Sequence, residues 1–249
     1  MKLQSAVCFF AHPDDETLFA GGMIALMASQ GIAVQVVCAT RGEGGEWGEP
    51  PLATRLTLGR VREAELRCAC RALGAGVTVL DYVDPTIGPD EALFAFEAHF
   101  DTLAGQLADI TRRFRADVVL THGADGEYGH PAHQLLHRAV LRGVSYALPH
   151  TPLYTVAANV PSIEDHMWNK NEPAHLALDI RPWADAKAAA MECHATQTAL
   201  FKRRRELKTV REALRPTESV RRAHPFTHGE PPDDAFARLL KMAGAWVVG

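Results

Sequence analysis

Two short segments of this chain concentrate side chains that can bind a metal ion or move a proton. The first is His12-Pro13-Asp14-Asp15-Glu16, which places an imidazole and three carboxylates together. The second is Tyr128-Gly129-His130-Pro131-Ala132-His133. Imidazoles and carboxylates are the ligands of zinc and iron in catalytic sites, where one position stays open for water. These residue types therefore favour a mononuclear hydrolytic metal site.

Each segment follows an apolar run that is typical of a buried strand. Residues 6–10 precede the first segment and residues 117–121 precede the second, and a helix-like stretch follows each. In an open parallel sheet, the loops at the carboxyl ends of different strands converge on one crevice. We therefore expect His12, Asp15 and His133 to meet in space. A solvated strand-to-helix turn also uses Asp, Glu and Pro, so the first segment alone leaves a plain loop open.

Hydrophobic periodicity and turn residues predict alternating strands and helices. Strands are predicted at 6–10, 32–40, 77–80, 117–121 and 153–157, and helices at 17–30, 60–73, 94–115 and 131–142. After a loop at 159–173, we expect a strand at 175–180, one long helix at 183–214 and a last helix at 233–246. This order predicts an α/β fold whose sheet is parallel in its first half.

Length and composition are those of an ordinary soluble globular protein. The chain has 249 residues, of which 47% are hydrophobic and 22% charged, with a formal net charge of -4. No apolar stretch reaches a bilayer's thickness and no secretory signal is evident, so we expect a cytoplasmic protein that does not bind membranes. We expect one domain over 1–249, in which 158–249 packs on a core formed by 1–157.

The five cysteines do not have the spacing of a disulfide framework. Cys8 and Cys38 fall in predicted buried strands, where a thiol packs as a small apolar group. Cys68 and Cys70 lie two apart in a predicted helix and point in different directions, which argues against a shared zinc ion. We expect these thiols to be packing residues.

The C-terminal part of the chain contains a basic segment at 202–222, with nine Lys and Arg residues against three acidic ones. Such a segment can bind phosphate or nucleic acid. No aromatic residues are interleaved to stack bases, and a solvated helix face is the commoner explanation. We therefore expect no nucleic-acid partner.

A glycine-rich loop at 42–48 follows the second predicted strand. The third glycine of a dinucleotide-binding fingerprint would fall on Trp47, and no helix opens directly from the loop. Two glutamates would also face the phosphates. The loop is better interpreted as an acidic rim that suits a carbohydrate or an amine.

At both chemistry-bearing segments the chain resembles the LmbE-like, or PIG-L-like, metal-dependent de-N-acetylases. The residues from Ala11 to Glu16 match the family signature A-H-P-D-D-E in full. The residues from Tyr128 to His133 match its Tyr-Gly-His-Pro-Asp-His string except at Ala132. Supporting matches are the 40–46 loop, Arg62 with Glu65, and Lys187 with 193–197, so the resemblance runs from the N-terminus to about residue 200.

The resemblance implies a Rossmann-like three-layer fold with a mostly parallel sheet and a helical C-terminal extension. It implies a zinc ion, or alternatively iron, and hydrolysis of the N-acetyl group of an N-acetylglucosamine-type sugar. His12, Asp15 and His133 correspond to the metal ligands. Asp14 corresponds to the general base, and His130 and Tyr128 to further catalytic groups. Glu43 and Arg62 are candidates for substrate binding.

Ala132 is a departure that bears on mechanism, since the family usually has Asp there. A carboxylate beside His130 would favour its protonated form. We therefore expect His130 to act here mainly as a hydrogen-bond donor, unless Asp125 or Glu127 replaces the missing carboxylate.

Other functions stay open at this stage. A hydrolase with these residues could cut another amide, such as a thiol conjugate or an antibiotic precursor, because the chemistry needs only a reachable carbonyl. A non-catalytic metal-binding or sugar-binding module is the other alternative, although such a module does not need Asp14. The expected partner is a small amino sugar, and the sequence is compatible with a homo-oligomer.

Overall fold

The first part of the chain alternates strands and helices, as the hydrophobic pattern predicts. The structure is a computed structural model that describes residues 2–203, 206–227 and 230–248. Its strands here are β1 (Ser5–Phe10), β2 (Ala33–Thr40), β3 (Gly76–Tyr82), β4 (Val118–Thr121) and β5 (Leu153–Val156). Its helices are α1 (Asp15–Ser29), α2 (Leu58–Leu73), α3 (Phe100–Phe114), the single-turn α4 (Gly126–Gly129) and α5 (Pro131–Ala147).

Most of these boundaries lie within two residues of prediction, but two helices differ. Helix α3 begins at Phe100 instead of residue 94, because the backbone of His99 is extended. Phe96 instead packs its buried ring against Tyr82 outside the helix. Helix α5 continues past residue 142 to Ala147.

The second part of the chain departs further from prediction. The loop at 159–173 contains β7 (Asn169–Pro173), which pairs with β6 (Ala158–Asn159), and β8 (Leu176–Asp179) follows. The predicted helix at 183–214 is wrong as a single element. It breaks into α6 (Ala184–Cys193), α7 (Thr198–Arg203) and short 3-10 turns, because His194 has non-helical backbone angles.

An unpredicted strand follows these helices. It is β9 (Thr217–His224), after which come α8 (Ala235–Met242) and β10 (Trp246–Val247). The basic segment at 202–222 is therefore not one helix, since it runs from α7 into β9. Its residues 204 and 205 lie outside the described residues. Several of its cations pair with acids: Arg203 with Glu46, Arg215 with Asp165, and Arg222 with Asp234.

In the described part of the chain, eight strands form one sheet in the order β10-β8-β9-β5-β4-β1-β2-β3. Strands β3, β2, β1, β4 and β5 run parallel, whereas β9 is antiparallel to both β5 and β8, and β10 is antiparallel to β8. The predicted α/β fold with a mostly parallel sheet is confirmed, but the C-terminal extension adds edge strands as well as helices. Because the strand order reverses between β1 and β4, their carboxyl ends border a crevice.

Strand β1 lies at the centre of a three-layer structure. Cys8 and Phe10 face one core, which contains residues of α1 and α2, while Val7 and Phe9 face the other, which contains residues of α3 and α5. All four side chains are fully buried. None of the described helices combines the length and the apolar character needed to cross a membrane.

Cys68 and Cys193 form a disulfide, which corrects the expectation that the cysteines serve only in packing. It joins α2 to the end of α6, with 5.7 Å between the two Cα atoms. Cys8, Cys38 and Cys70 are free and buried, in agreement with a packing role. The sequence separation of 125 residues conceals the pairing, because no local pattern links the two cysteines.

Candidate functional site

The loops after β1 and β4 bring His12, Asp15 and His133 together. His12 follows β1, Asp15 begins α1, and His133 lies in the first turn of α5. The distance from His12 Nδ1 to His133 Nε2 is 3.3 Å, and Asp15 Oδ2 lies 3.4 Å from each of these nitrogens. The three ligand atoms thus form a nearly equilateral triangle, and all three residues are buried.

Two carboxylates outside the predicted set hold the rings of this triangle. Asp84 Oδ1, in the loop after β3, lies 3.2 Å from His12 Nε2. Glu127 Oε2, in α4, lies 2.6 Å from His133 Nδ1. A neutral imidazole has one N–H donor and one acceptor nitrogen, so each ring donates to its carboxylate. The lone pairs of His12 Nδ1 and His133 Nε2 are therefore left facing the triangle, the usual arrangement of metal-binding histidines.

Two further histidines are close enough to be considered as ligands. By proximity, His12, His130 and His133 form one group that could hold a metal ion, and Asp15, His122 and His133 form another. However, His122 Nε2 accepts the Ala11 backbone N–H at 3.0 Å, and its Nδ1 faces Glu127. This occupies the only lone pair that a neutral His122 has.

His130 is excluded as a ligand by a similar contact. Its Nδ1 accepts the backbone N–H of Ala132 at 3.2 Å as the N-cap of α5, so its proton lies on Nε2. Burial and the neighbouring His133 and His12 rings lower the pKa of His130. A neutral His130 with Nε2–H is a hydrogen-bond donor at the wall of a cavity that His12 and Asp15 also line.

Asp14 lies beside the triangle in a constrained backbone conformation. Its φ of 115° is in the left-handed region, and its N–H donates to Glu16 Oε2 at 3.0 Å. Glu16 is in turn held by His194, whose Nε2 lies 2.8 Å from Glu16 Oε1. Burial raises the pKa of the Asp14 carboxyl to about 6, against the opposing effect of Arg62. A carboxylate with a pKa near neutrality is suited to accept and return a proton.

Arg62, a predicted substrate-binding residue, reaches Asp14 from α2. Its Nη2 donates to Pro13 O at 2.6 Å and lies 3.4 Å from Asp14 Oδ2, while Nη1 donates to Gly42 O at 2.9 Å. Gly42 has a φ of +66°, and a Cβ there would collide with the Arg62 guanidinium. Arg62 also lines the cavity. The same side chain therefore holds the loop that carries Asp14 and is within reach of a ligand in the cavity.

The other predicted substrate-binding residue, Glu43, has a different environment. Its Oε2 accepts the backbone N–H groups of Arg41 and Asp84 at 3.2 and 3.1 Å. It is absent from the described wall of the cavity, although its neighbours Gly44 and Glu46 are present there. Glu43 therefore holds the loop that carries Asp84.

A polar cavity of about 420 Å³ opens above the triangle. Its wall includes His12, Asp14, Asp15, Tyr128 and His130. The ring of Tyr128 is 38% exposed and meets the edges of His130 and His133 at centroid distances of 5.7 and 5.6 Å. All three predicted catalytic residues thus border the same cavity.

Asp84, Glu127 and His122 are the site residues that the sequence analysis did not assign. Asp84 follows the predicted strand at 77–80, so its place at the carboxyl end of a parallel strand was a usable signal. Glu127 was considered only as a partner of His130, whereas the structure places it between His122 and His133. Although burial favours its neutral form, these two rings lower the pKa of Glu127. Nothing local distinguished His122 from the other histidines.

Fold and site together define a Rossmann-like α/β protein with a buried cluster of two histidines and one aspartate at the strand-order reversal. Residues 7–144 match the PIG-L family, described as GlcNAc-PI de-N-acetylase. The chain belongs to this family.

The relatives of this chain include a sugar deacetylase. The chain is 32% identical over 236 residues to a 1D-myo-inositol 2-acetamido-2-deoxy-alpha-D-glucopyranoside deacetylase from Acidothermus cellulolyticus. The match covers 80% of this chain and 81% of the relative.

Among solved structures, an N,N'-diacetylchitobiose deacetylase from Pyrococcus horikoshii has a TM-score of 0.63 at 19% identity, covering 90% of this chain and 88% of that one. GalB, the 4-carboxy-2-hydroxymuconate hydratase from Pseudomonas putida KT2440, has a TM-score of 0.59 at 26% identity. That match covers 92% of this chain and 99% of GalB. Proteins with this fold are thus named for more than one reaction.

Proposed function

We propose that this protein is a metal-dependent deacetylase that hydrolyses the N-acetyl group of an N-acetylglucosamine-type sugar to acetate and a free amine. The observation that carries the proposal is the triangle of His12 Nδ1, Asp15 Oδ2 and His133 Nε2, with Asp14 in the wall of the adjoining cavity. The inositol-linked amino sugar in the name of the Acidothermus relative supports the substrate class.

The donor set suits zinc. Bonds of about 2.0–2.1 Å in a tetrahedral site separate neighbouring ligand atoms by roughly 3.3–3.4 Å. The three edges of the triangle, 3.3, 3.4 and 3.4 Å, agree with this spacing. Iron accepts the same two-histidine, one-carboxylate set. When bound, such an ion lowers the pKa of water and polarises an amide carbonyl.

We assign the proton transfer to Asp14. As the carboxylate it accepts a proton from the attacking water, and as the acid it returns that proton to the departing amine nitrogen. Proton transfer by a positioned side chain contributes roughly 10²- to 10⁴-fold. Arg62 and Glu16 keep the Asp14 loop in its left-handed turn through contacts to Pro13 O and Asp14 N.

We assign to His130 the donation of its Nε2–H to the amide oxygen as negative charge develops there. The N–H of Ala132 occupies Nδ1, which supports a donor role instead of a general-acid role. Glu127 does not substitute for the missing carboxylate at 132, since its Oε2 contacts His122 and His133 and its Oε1 accepts the N–H of Gly123. Tyr128 borders the same cavity and is proposed to approach the acyl oxygen from the solvent side.

The likeness to GalB favours a hydratase acting on a carboxylated substrate as the second candidate. The charge of the polar cavity opposes it. The described wall contains the acids Asp14, Asp15, Glu46, Asp84 and Glu91 against the bases Arg62 and Arg203, and Arg203 already pairs with Glu46 and Glu49. A substrate with several carboxylates would be repelled by this wall, whereas a neutral sugar would not.

The test is a free-amine release assay with the zinc-loaded and iron-loaded protein. Substrates are the 1D-myo-inositol glycoside of N-acetylglucosamine, N-acetylglucosamine itself and a set of unrelated amides, with 4-carboxy-2-hydroxymuconate hydration measured in parallel. We expect amine release from the amino sugars only. Asp14→Asn should lower kcat by about 10²- to 10⁴-fold while the bound metal stays equimolar. Hydration without amine release, or full activity in Asp14→Asn, would overturn the proposal.

A further inference from the structure

A second cavity, smaller and largely apolar, meets the polar cavity at the site. Its volume is about 90 Å³. Asp14, Asp15, Tyr128 and Leu200 line both cavities. The wall of the smaller cavity is mainly hydrophobic, and its large hydrophobic side chains are Leu18, Phe19, Met167, Met191, Leu200 and Phe201. We refer to these six residues as the apolar wall.

The charged groups around the apolar wall are already paired. Lys187 Nζ donates to Glu218 Oε1 at 2.7 Å and to Leu18 O at 3.0 Å, and Lys187 is 1% exposed. Arg215 Nε lies 2.8 Å from Asp165 Oδ2. These ion pairs leave the cavity better suited to hydrocarbon than to an anionic group.

The amide bond of the substrate joins an acyl group to an amine. The residue that transfers the proton must reach this bond. Asp14 lies in the wall common to both cavities, so the scissile amide has to sit at their junction. The polar cavity matches the hydroxyl groups of a sugar. The acyl group is then directed toward the apolar wall.

We propose that the apolar wall binds an acyl chain longer than acetyl, so that the preferred substrates are N-acyl amino sugars with a linear aliphatic acyl group. This assignment rests on the proposed amide hydrolysis. A water-sized group needs about 10–15 Å³ of such space, so the cavity accepts roughly six to nine of them, which is enough for an acyl chain of about four to six carbons. An acetyl methyl would fill only a small part of it.

The size of the effect follows from hydrocarbon burial. Each methylene that leaves water for an apolar wall gains about 0.8 kcal/mol, which corresponds to roughly fourfold in kcat/KM. N-butyrylglucosamine, with two more methylenes, should therefore exceed N-acetylglucosamine by roughly fifteenfold in kcat/KM. N-hexanoylglucosamine should retain or extend that gain.

Two variants with opposite effects on cavity size test the assignment. Leu18→Phe replaces a partly exposed leucine of the wall with a larger aromatic side chain. Because this narrows the cavity, it should lower the hexanoyl-to-acetyl ratio of kcat/KM by tenfold or more. Met191→Ala enlarges the fully buried end and should raise the ratio for chains beyond six carbons. Leu56→Phe is the matched control, since Leu56 is 98% exposed and its replacement should leave the ratio unchanged. Thermal unfolding of each variant verifies that it is folded.

The outcomes separate this assignment from the proposed function. No amine release from any N-acyl sugar would overturn the proposed function and this assignment with it. Release from N-acetylglucosamine alone, or a chain-length ratio that Leu18→Phe leaves unchanged, would overturn only the acyl assignment. A gain from an alkyl chain at the anomeric carbon that Leu18→Phe abolishes would assign the apolar wall to the aglycone instead.

Discussion

Each imidazole near the triangle has one nitrogen held by a second group, and that group decides what the other nitrogen can do. Carboxylates hold His12 and His133 and leave an acceptor nitrogen facing the centre. A backbone N–H holds His130 and leaves a donor. Rings of identical chemistry thus acquire different roles within a few ångströms, because the tautomer is set by the neighbour.

Removal of the carboxylate behind His133 should weaken metal binding without removing a ligand. We expect Glu127→Gln to raise the zinc dissociation constant by about 10- to 100-fold, since the amide orients the ring less firmly and does not accept a full ionic hydrogen bond. Competition titration with a chelating dye measures this change. Glu97→Gln, at an exposed position, is the control, and an equal effect of both variants would contradict the role of Glu127.

Loss of the donor at 130 should lower kcat more than it raises KM. We expect His130→Ala to reduce kcat by about 10²- to 10³-fold, as for other single donors to a developing oxyanion. His130→Gln should recover part of that loss, because its amide can also donate. If His130→Ala kept nearly full kcat in steady-state assays, the donor role would have to be abandoned.

At the scale of elements, two helices hold the loop that carries Asp14. Helix α2 supplies Arg62 to Pro13 O, and its Glu65 accepts the N–H of Thr196 at 2.8 Å. The segment after α6 supplies His194 to Glu16. The Cys68–Cys193 disulfide joins these two elements next to the same contacts. Helix α6 has to end at residue 193 for His194 to reach the core.

Removal of this disulfide should destabilise the fold. The double variant Cys68→Ser with Cys193→Ser should lose about 2–4 kcal/mol in the free energy of unfolding, because a long closed loop is released in the unfolded state. Denaturant titration measures the loss. A reductant should shift the wild-type midpoint toward that of the variant and leave the variant unchanged, whereas equal shifts in both proteins would argue against the bond.

At the scale of the whole molecule, the triangle depends on two distant parts of the chain. His12 and His133 are separated by 121 residues and meet because β1 and β4 are adjacent parallel strands. A metal ion bound to both loops would link the two halves of the parallel sheet. The metal site therefore forms only when β1 and β4 are paired, and a bound ion would stabilise that pairing.

Metal binding should accordingly raise the stability of the whole protein. Free zinc at about 100 times its dissociation constant should add about 2.7 kcal/mol to the free energy of unfolding. For a chain of this size this corresponds to a rise of roughly 5–10 °C in Tm. Calorimetry with and without a chelator measures it, and Asp15→Ala should abolish the shift. A shift that survives in Asp15→Ala would place the ion elsewhere.

Sequence alone determined the strands β1 to β5 to within two residues and the loops that carry the reactive residues. Their hydrophobic periodicity is local and strong, and the residues at the strand ends match a family signature. The expected meeting of His12, Asp15 and His133 required only one further rule, that parallel strands present their carboxyl ends at the same edge.

Tertiary structure decided the rest, because the deciding contacts are distant along the chain. Strand β9 buries Glu218 and Ser219 beside Val220, so its pattern is not apolar. Glu218 is tolerated in the core because Lys187 and the N–H groups of α1 pair with it. The position of Asp84 behind His12 likewise depends on strand order, which no local pattern encodes.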